Sequence, residues 1–322
     1  MDALSRLLAL YPVRTALDIR CHLGAPWQME EAAVAAGIAP YHMIVEGNAW
    51  LVLADHPPRA LQAGDIVVLP HGSAHVLRAE PAETAAQGRQ IVDLETNALV
   101  QVKGNHGGGA HTDILCGQFH FDTDAALALL AGLPQALVVS TAGRADFLGL
   151  NSLMSMLRFE TEAQRPGAKA VVAQLSSALF ALLIRAWLEQ AERTTGLFAL
   201  LAEPRLQAAL QHMLAQPGTA WSMEQLAQAC HMSRATFARL FTRAAGATPG
   251  EVLTRTRMAQ AAHWLTNGTQ SVAAIGEAVG YQSEAAFNRV FKRSFGVGPG
   301  QFRRRARAND TDPLPAVATA AI

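Results

Sequence analysis

The feature that most constrains the fold is an internal repeat in the C-terminal half of the chain. LAQACHMSRATFARLFTRAAGATPGEVL begins at Leu226, and IGEAVGYQSEAAFNRVFKRSFGVGPGQF begins at Ile275. The two segments share their order of apolar, basic and Gly-Pro positions, at an offset of 49 residues that becomes 50 after a turn. One extra residue in a turn costs little, because loop-closure entropy grows slowly with length. The repeat predicts two copies of one structural unit.

Each copy has the pattern of a helix, a short turn and a second helix. Ser222 and Gln225 predict a capping box at the start of the first helix, and Ser233 is placed to cap the second. Phe237 and Phe241 have the spacing of a buried helical stripe. Each copy is therefore a predicted helix-turn-helix unit.

The face opposite this stripe is predicted to contact DNA. A tandem of such units places two recognition helices in successive major grooves. Arg suits guanine edges, Asn suits adenine and Glu can accept from cytosine, whereas further Lys and Arg side chains hold phosphates. The residues predicted to contact DNA are Arg234, Ala235, Ala238, Arg239 and Arg243 in the first copy, and Glu284, Ala285, Asn288, Arg289, Lys292 and Arg293 in the second.

The distribution of charge supports this prediction. Residues 203–307 contain 13 Lys and Arg against five Asp and Glu, whereas residues 1–202 contain 13 against 19. A basic block attached to an acidic one indicates a nucleic-acid-binding module with a separate control domain. The alternative, a helical bundle with solvated arginines, is disfavoured by the repeat, the turn spacing and the charge together.

The repeat resembles the DNA-binding domain of the AraC/XylS family of bacterial transcription regulators. GYQSEAAFNRVFKRSFGVGPGQFR in the second copy carries the resemblance most specifically. It implies a sequence-specific transcription activator whose partners are double-stranded promoter DNA and RNA polymerase. No Ser-His-Asp, phosphate-loop or paired-carboxylate signature stands out, so we expect no enzyme activity.

The N-terminal half has a different rhythm. Residues 37–122 alternate short apolar runs with turn signals, which is typical of an all-β barrel or sandwich. Residues 64–75 fit G-x5-P-x-G-x2-H and resemble the second motif of cupin β-barrels. The predicted fold class is α+β, with an N-terminal cupin-like β-barrel, following helices and a C-terminal all-α tandem helix-turn-helix domain. The predicted divisions are a sensor domain at 1–125, a helical linker or dimerisation region at 126–202, a DNA-binding domain at 203–307 and a disordered tail at 308–322.

Helical spacing of apolar residues follows the barrel. It predicts helices over 127–139, 146–162 and 168–193. Two sizeable amphipathic helices could form a homodimer interface or pack on their own barrel, and the sequence leaves both open. The apolar run 170–184 is too short to span a bilayer, and the N-terminus lacks signal-peptide features. We therefore expect a cytoplasmic protein with no membrane partner.

Two histidines define a possible metal site in the barrel. The first cupin motif is degraded, because Pro40 stands at a position where the resemblance implies a ligand. His42 and His75 remain, with Glu46 or Cys116 as further candidates. They could hold a metal ion or be hydrogen-bonded core histidines. No cofactor is otherwise required.

The chain has three cysteines. Cys230 occupies a position that Val279 fills in the second copy, so it is predicted to pack. Cys21 lies between Arg20 and His22, and nearby cations would lower its thiol pKa. Cys116 lies in ILCGQFHF, a predicted buried strand. Both could also be small buried apolar residues.

The resemblance extends to one redox-responsive subgroup of the family. MDALSRLL, LPHGSAH, LCGQF and the cysteine at position 21 carry it, nearly end to end. It implies that Cys21 and Cys116 are redox-sensor residues, oxidised to a disulfide by reactive chlorine species. The segment near 80–110 and the C-terminal tail are longer than in the subgroup, so the approach of the two cysteines stays open. The alternative is a regulator that binds a metal or small molecule in the barrel.

Overall fold

The computed structural model describes residues 1–80, 91–96, 99–105, 107–121, 129–130, 132–163, 165–191 and 194–309. These residues form two compact units. We call the first the sandwich unit; it contains the described residues of Val13–Phe121 and Leu133–Ala191. We call the second the helical unit; it contains those of Met1–Pro12, Asp122–Gly132 and Glu192–Ala318.

Eleven strands build the sandwich unit within the described residues. They are β1 Arg14–Gly24, β2 Gln28–Glu31, β3 Ile38–Glu46, β4 Asn48–Leu53, β5 Arg59–Gln62, β6 Asp65–Val68, β7 His75–Arg78, β8 Val92–Thr96, β9 Gln101–Gly104, β10 His111–His120 and β11 Leu137–Ser140. A seven-stranded sheet has the order β11-β6-β3-β10-β1-β9-β8, and a four-stranded sheet has the order β2-β7-β4-β5. The predicted N-terminal β architecture is confirmed.

The main core lies between the two sheets. Side chains alternate between the faces of a strand, so every second residue of the central strands points inward. Cys21 on β1 and Ile114 on β10 join Trp27, Leu51 and Leu77 in one buried apolar cluster that draws on both sheets. Burial of apolar surface stabilises such a core by about 25 cal/mol per Å².

The outer face of the seven-stranded sheet carries a buried ion pair. Arg20 Nη2 lies 2.7 Å from Asp113 Oδ2, and Arg20 Nε donates to Asp113 Oδ1 at 3.2 Å. Both side chains are buried, at 6% and 2% exposure. Arg20 also donates to the carboxylate of Glu162, which lies on a helix of the same unit. Removing one partner of such a pair typically costs about 3–5 kcal/mol.

Two helices cover this outer face. They are α2 Leu148–Ala163 and α3 Ala168–Gln190, which confirms the helices predicted at 146–162 and 168–193. The Gln190 side chain exchanges hydrogen bonds with the backbone of Ser140 on β11, at 3.1 and 2.9 Å. By length and composition alone α3 could cross a membrane, and 44% of its most apolar window is buried within the protein.

The helix predicted at 127–139 is wrong at its C-terminal end. Leu137–Ser140 is strand β11, and it pairs antiparallel with β6, Leu137 opposite Val68. The β-branched pair Val138 and Val139 favours a strand once a partner edge is available. Residues 127, 128 and 131 of that prediction lie outside the described residues.

The helical unit contains nine helices in the part of the chain that the structure describes. They are α1 Ala3–Leu10, α4 Gly196–Ala202, α5 Gln207–Ala215, α6 Met223–Ala229, α7 Arg234–Ala245, α8 Pro249–Asn267, α9 Val272–Ala278, α10 Glu284–Phe295 and α11 Pro299–Asn309. The pairs α6–α7 and α9–α10 are the two helix-turn-helix units, and α8 joins them. The predicted repeat is confirmed.

Local hydrogen bonds begin these helices as the sequence predicts. Ser222 and Gln225 form a complete capping box on α6, and the Ser233 side chain accepts from the Thr236 N–H at the start of α7. Gly246 ends α7 with a φ of 63°, a left-handed conformation that glycine adopts without strain. These caps set the ends of α7 and therefore which face it exposes.

The structure groups some residues differently from the predicted divisions. The amphipathic helix α1, predicted within the sensor domain 1–125, packs in the helical unit with Leu7 fully buried. The carbonyl of Met1 accepts from the Gln211 side chain of α5 at 2.7 Å. The predicted linker 126–202 is also divided, because 133–191 belong to the sandwich unit. Of the predicted tail, 308–309 belong to α11 and 310–322 lie outside the described residues.

Candidate functional site

The two predicted sensor cysteines lie on neighbouring strands. In the antiparallel pairing of β1 with β10, Cys21 is opposite Ile114 and Cys116 is opposite Ile19. Residues two apart on a strand share a face, so Cys21 and Cys116 are diagonal neighbours on the inner face. Both side chains belong to the buried cluster between the sheets. Cys21 is fully buried and Cys116 is 6% exposed.

Arg20 and His22, the chain neighbours of Cys21, lie on the opposite face of the sheet from its thiol. The side chains of Arg20 and His22 point to the outer face, where Arg20 binds Asp113 and His22 Nδ1 lies 3.6 Å from the same carboxylate. Strand alternation therefore separates both cations from the thiol. The contact that the structure gives Cys21 on its own side is the thioether of Met29, 4.0 Å from its sulfur.

The longer segment near 80–110 does not separate Cys21 from Cys116. Its strand β9 pairs in parallel with the opposite edge of β1, where Lys103 is the partner of Cys21. Strand β10 occupies the other edge, so β9 does not come between Cys21 and Cys116. Residues 81–90 and 106 of this segment lie outside the described residues.

Two histidines extend from Cys116 in a single hydrogen-bonded row. His42 Nδ1 lies 3.0 Å from Cys116 Sγ, and His42 Nε2 lies 2.7 Å from His75 Nε2. His75 Nδ1 lies 3.0 Å from the carbonyl oxygen of Ser73. Because His42 belongs to β3 and His75 to β7, the row crosses from one sheet to the other. We call Cys116, His42, His75 and the Ser73 carbonyl the thiol–imidazole row.

The carboxylate candidate, Glu46, does not join the row. Glu46 lies at the end of β3 with its side chain 58% exposed, and its nearest cation is Arg158 at 3.7 Å. The structure thus brings His42, His75 and Cys116 together and leaves Glu46 apart.

Burial sets the protonation of the row. It lowers the pKa of His42 well below 6.5, and it lowers the pKa of His75 although the Ser73 carbonyl opposes this change. The neighbouring Cys21 thiol, together with burial, raises the pKa of the Cys116 thiol well above 9.0. Near neutral pH the row therefore holds a protonated thiol and two neutral imidazoles.

The same distances test the row as a metal site. Zn²⁺ binds imidazole nitrogen at about 2.0–2.1 Å, so two nitrogens on one tetrahedral ion lie about 3.3 Å apart. The 2.7 Å between the two Nε2 atoms instead suits a hydrogen bond. Among the described residues no group of three or more His, Cys, Asp or Glu could hold a metal ion. The row as folded does not fit a metal, and metal binding by His42 and His75 stays a prediction.

The second candidate surface is the outer face of α7 and α10. The buried stripe contains Phe237 and Phe241 on α7, and Phe287 and Phe291 on α10, all fully buried. The opposite faces are solvent-accessible, with two residues half-buried and the rest exposed. These residues are Arg234, Ala235, Ala238, Arg239 and Arg243 on α7, and Glu284, Ala285, Asn288, Arg289, Lys292 and Arg293 on α10.

Arg234 is the member of this surface with a protein partner of its own. Its Nη1 lies 3.0 Å from Glu224 Oε1 on α6, and both side chains are more than half exposed. An exposed pair of this kind is worth about 0–1 kcal/mol, so a phosphate or base can replace Glu224 at little cost.

Comparison with known proteins agrees with this arrangement of two units. Residues 2–189 match the family described as "Cupin", and residues 226–305 match "Helix-turn-helix domain". Over 308 residues the chain is 34% identical to "RCS-specific HTH-type transcriptional activator RclR" of Escherichia coli K12, covering 95% of this chain and 99% of that protein. The chain belongs to the AraC family of transcription regulators and is a DNA-binding regulator of that type.

A second relative also matches nearly the whole chain, and a solved structure matches part of it. The chain is 31% identical over 309 residues to "HTH-type transcriptional regulator MtrA" of Neisseria gonorrhoeae, covering 94% of this chain and 98% of that protein. Among solved structures, the DNA-binding domain of AdpA in complex with a target DNA is 27% identical and covers 34% of this chain and 99% of that chain, with a TM-score of 0.32.

We expect acidification to destabilise the fold through His42 and His75. The folded state holds both imidazoles at a pKa below 6.5, so below that pH the unfolded chain binds more protons and stability falls. We expect a loss of about 1–3 kcal/mol between about pH 7 and pH 5. Urea denaturation followed by circular dichroism across this range measures it. The loss should shrink in His42→Gln and persist in His56→Gln, whose histidine is exposed; equal losses in both variants contradict the assignment.

Proposed function

We propose that oxidation of Cys21 and Cys116 to an intramolecular disulfide controls this regulator. The observation that carries the proposal is that the two thiols are diagonal neighbours on the inner face of adjacent strands, one of them hydrogen-bonded to His42. Reactive chlorine species or related oxidants convert a thiol to a sulfenyl chloride or sulfenic acid, and a second thiol then displaces the leaving group. The relative RclR is named an RCS-specific transcriptional activator, which supports the same interpretation.

The register of the strands supports a signal in which disulfide formation shifts β1 and β10. Diagonal neighbours in an antiparallel pair lie about 7–8 Å apart, whereas a disulfide needs Cα atoms within about 4.4–6.8 Å. Closing the bond therefore requires β1 and β10 to shift locally. Arg20, next to Cys21, carries that shift to the outer face, where it binds Asp113 and Glu162 of α2.

The energy available is sufficient for a switch. A bond that closes a loop of about 95 residues stabilises the folded chain by about 4–5 kcal/mol on the chain-entropy model. A difference of about 1–3 kcal/mol between DNA-competent and incompetent states changes affinity about 5- to 150-fold. We propose that oxidation increases promoter affinity and that cytoplasmic thiol systems reset the protein. RNA polymerase is the proposed partner in activation.

We further propose that α7 and α10 enter successive major grooves. Arg239 and Arg289 occupy matching positions in the two copies and are exposed, which suits contacts with guanine edges. Arg243, Lys292 and Arg293 lie one turn later, where contacts with phosphates fix the register.

An exposed apolar surface supports a homodimer. Leu148, Met156 and Phe159 on α2 and Val171 on α3 are 68%, 55%, 46% and 42% exposed. Large apolar side chains that are grouped at the surface mark interaction sites. We propose that this surface packs against a second copy of the chain.

We expect mild oxidation to produce a Cys21–Cys116 disulfide. Treatment of the full-length protein with hypochlorite, followed by mass spectrometry of peptides, should yield the linked pair. Cys21→Ser should abolish it, and Cys230→Ser should leave it unchanged, because Cys230 lies in the helical unit. Linkage of Cys230 instead, or no linkage at sub-denaturing oxidant, contradicts the proposal.

Stoichiometric metal in anaerobically purified protein would favour a metal-responsive regulator.

We expect Arg239→Ala and Arg289→Ala to lose sequence discrimination by about 1–3 kcal/mol where each contacts a base. Competition binding on selected DNA and its single-base variants measures this loss. Arg144→Ala is the matched control, since Arg144 is an exposed arginine of the sandwich unit that pairs with Asp146. Unchanged base preference in both helix variants rules out the assigned reading faces.

We expect Phe159→Glu to weaken self-association at least tenfold, because dimer formation would bury the new charge. Sedimentation velocity on full-length protein measures the dissociation constant. Arg59→Glu, a charge change on an exposed residue of β5, is the control and should associate as the wild type does. A monomeric wild type, or a Phe159→Glu dimer of unchanged strength, contradicts the proposed interface.

A further inference from the structure

The hydrogen atoms of the thiol–imidazole row can be placed by starting at its Ser73 end. The carbonyl oxygen of Ser73 can only accept, so His75 Nδ1 carries the proton of that bond. A neutral His75 then presents a lone pair at Nε2, and His42 Nε2–H must donate to it. His42 Nδ1 is left with a lone pair that faces the thiol of Cys116 at 3.0 Å. The hydrogen bonds of the row therefore all run from donor to acceptor in one direction, and the first donor is the Cys116 thiol.

We propose that His42, relayed by His75, is the general base that takes the Cys116 proton while its sulfur attacks a small uncharged oxidant. This inference rests on the proposed redox function and assigns the order of its steps. Cys116 reacts first, and Cys21 resolves the product. His42 touches the reacting sulfur, and His75 acts through His42.

The difference between the two sulfurs supports this order. Cys116 is the slightly exposed cysteine of the pair and the one with an imidazole nitrogen in contact. Cys21 is fully buried, and its sulfur lies 4.0 Å from the Met29 thioether. A thioether is not a base at neutral pH. Cys21 is thus placed to attack an intermediate on Cys116 rather than an oxidant from solvent.

A base is needed because Cys116 is a protonated thiol near neutral pH. The thiolate is the nucleophile, and the environment of Cys116 opposes its formation at rest. Proton transfer to His42 during attack avoids a free buried thiolate. This arrangement also protects the resting thiol from weak electrophiles.

The relay moves positive charge away from the sulfur. As Cys116 S–H transfers its proton to His42 Nδ1, the proton on His42 Nε2 moves to His75 Nε2. His42 is again neutral, and the charge resides on His75, whose Nδ1–H bond to Ser73 favours the charged form. A single histidine would keep the cation next to the reacting sulfur.

The chemistry balances for a chloramine as oxidant. Cys116 sulfur attacks chlorine, the S–H bond breaks toward His42, the N–Cl bond breaks, and the departing nitrogen takes back one proton: thiol plus monochloramine gives sulfenyl chloride plus ammonia. Cys21 sulfur then displaces chloride, and its proton is released, giving the disulfide. Two thiols are oxidised by two electrons, and chlorine is reduced to chloride. Hypochlorous acid reacts in the same way, with water in place of ammonia.

The surroundings select an uncharged oxidant. Leu23, Trp27 and Ile44 share the buried cluster that contains both cysteines, and desolvating an anion there is costly. The titratable groups that face the row from the packed strands are few. Among the described residues they are Cys21 on β1, Glu31 on β2 and Lys103 on β9.

The test uses full-length protein in which Cys21→Ser and Cys230→Ser leave Cys116 as the single thiol. Monochloramine is the probe, and quenched-flow mass spectrometry measures loss of the Cys116 thiol from about pH 6 to about pH 9. His42→Gln should slow the reaction about 100-fold near neutral pH, within the usual contribution of a general base. His75→Gln should slow it less, and His56→Gln, an exposed histidine, should match the parent protein.

The pH profile separates a base from a structural role. Without His42 the rate should rise about tenfold per pH unit as hydroxide replaces the base, and it should approach the parent rate at high pH. A variant that is only loosened exposes the thiol and reacts faster at every pH. His42→Asn provides the same profile if His42→Gln does not fold.

The outcomes distinguish the two proposals. If His42→Gln reacts at the parent rate with the parent pH profile, the relay is overturned while the cysteine switch stands. If wild-type protein, with both cysteines present, forms no Cys21–Cys116 disulfide with monochloramine, the switch fails and the relay fails with it. Dimedone labelling of Cys21 in Cys116→Ser, without labelling of Cys116 in Cys21→Ser, overturns the order of reaction.

Discussion

The pairing of β1 with β10 is the constraint on which the rest of the site depends. Its register sets Cys21 diagonal to Cys116 on the inner face and Arg20 beside Asp113 on the outer face. A slip of one residue would exchange the faces, expelling the thiol and burying the arginine in an apolar core. The buried ion pair and the apolar cluster each penalise that slip, so both faces hold the same register.

The same register connects the row around Cys116 with the helix that covers the sheet. On the inner side, His42 reaches Cys116 from β3 and meets His75 across the gap between the sheets. On the outer side, Arg20 and Asp113 meet Glu162 of α2. In the proposed switch, a disulfide between the two strands would act both on His42, which contacts Cys116, and on α2, whose Glu162 binds Arg20. The proposed dimer surface lies on that same helix, which gives the signal a second route beyond its own unit.

Local rules accounted for much of this structure. The helix-turn-helix repeat, its Ser222 and Ser233 caps and the exposed faces of α7 and α10 follow from spacing and capping alone, because those signals act over three or four residues. The strand at Leu137 and the position of α1 did not follow, since each depends on a partner far away in sequence. The same reason explains Cys21: its neighbours in the chain, Arg20 and His22, are not its neighbours in space, and only the pairing with β10 reveals Cys116, His42 and His75 as one row.

The central claim is that a bond between two strands changes how the paired helices hold DNA. Fluorescence anisotropy with one promoter fragment, on protein fully reduced and on protein with the Cys21–Cys116 bond verified, measures this most directly. We predict that the oxidised form binds about 5- to 150-fold more tightly at one salt concentration. Equal affinity of the two forms, with the bond demonstrably present, contradicts the account.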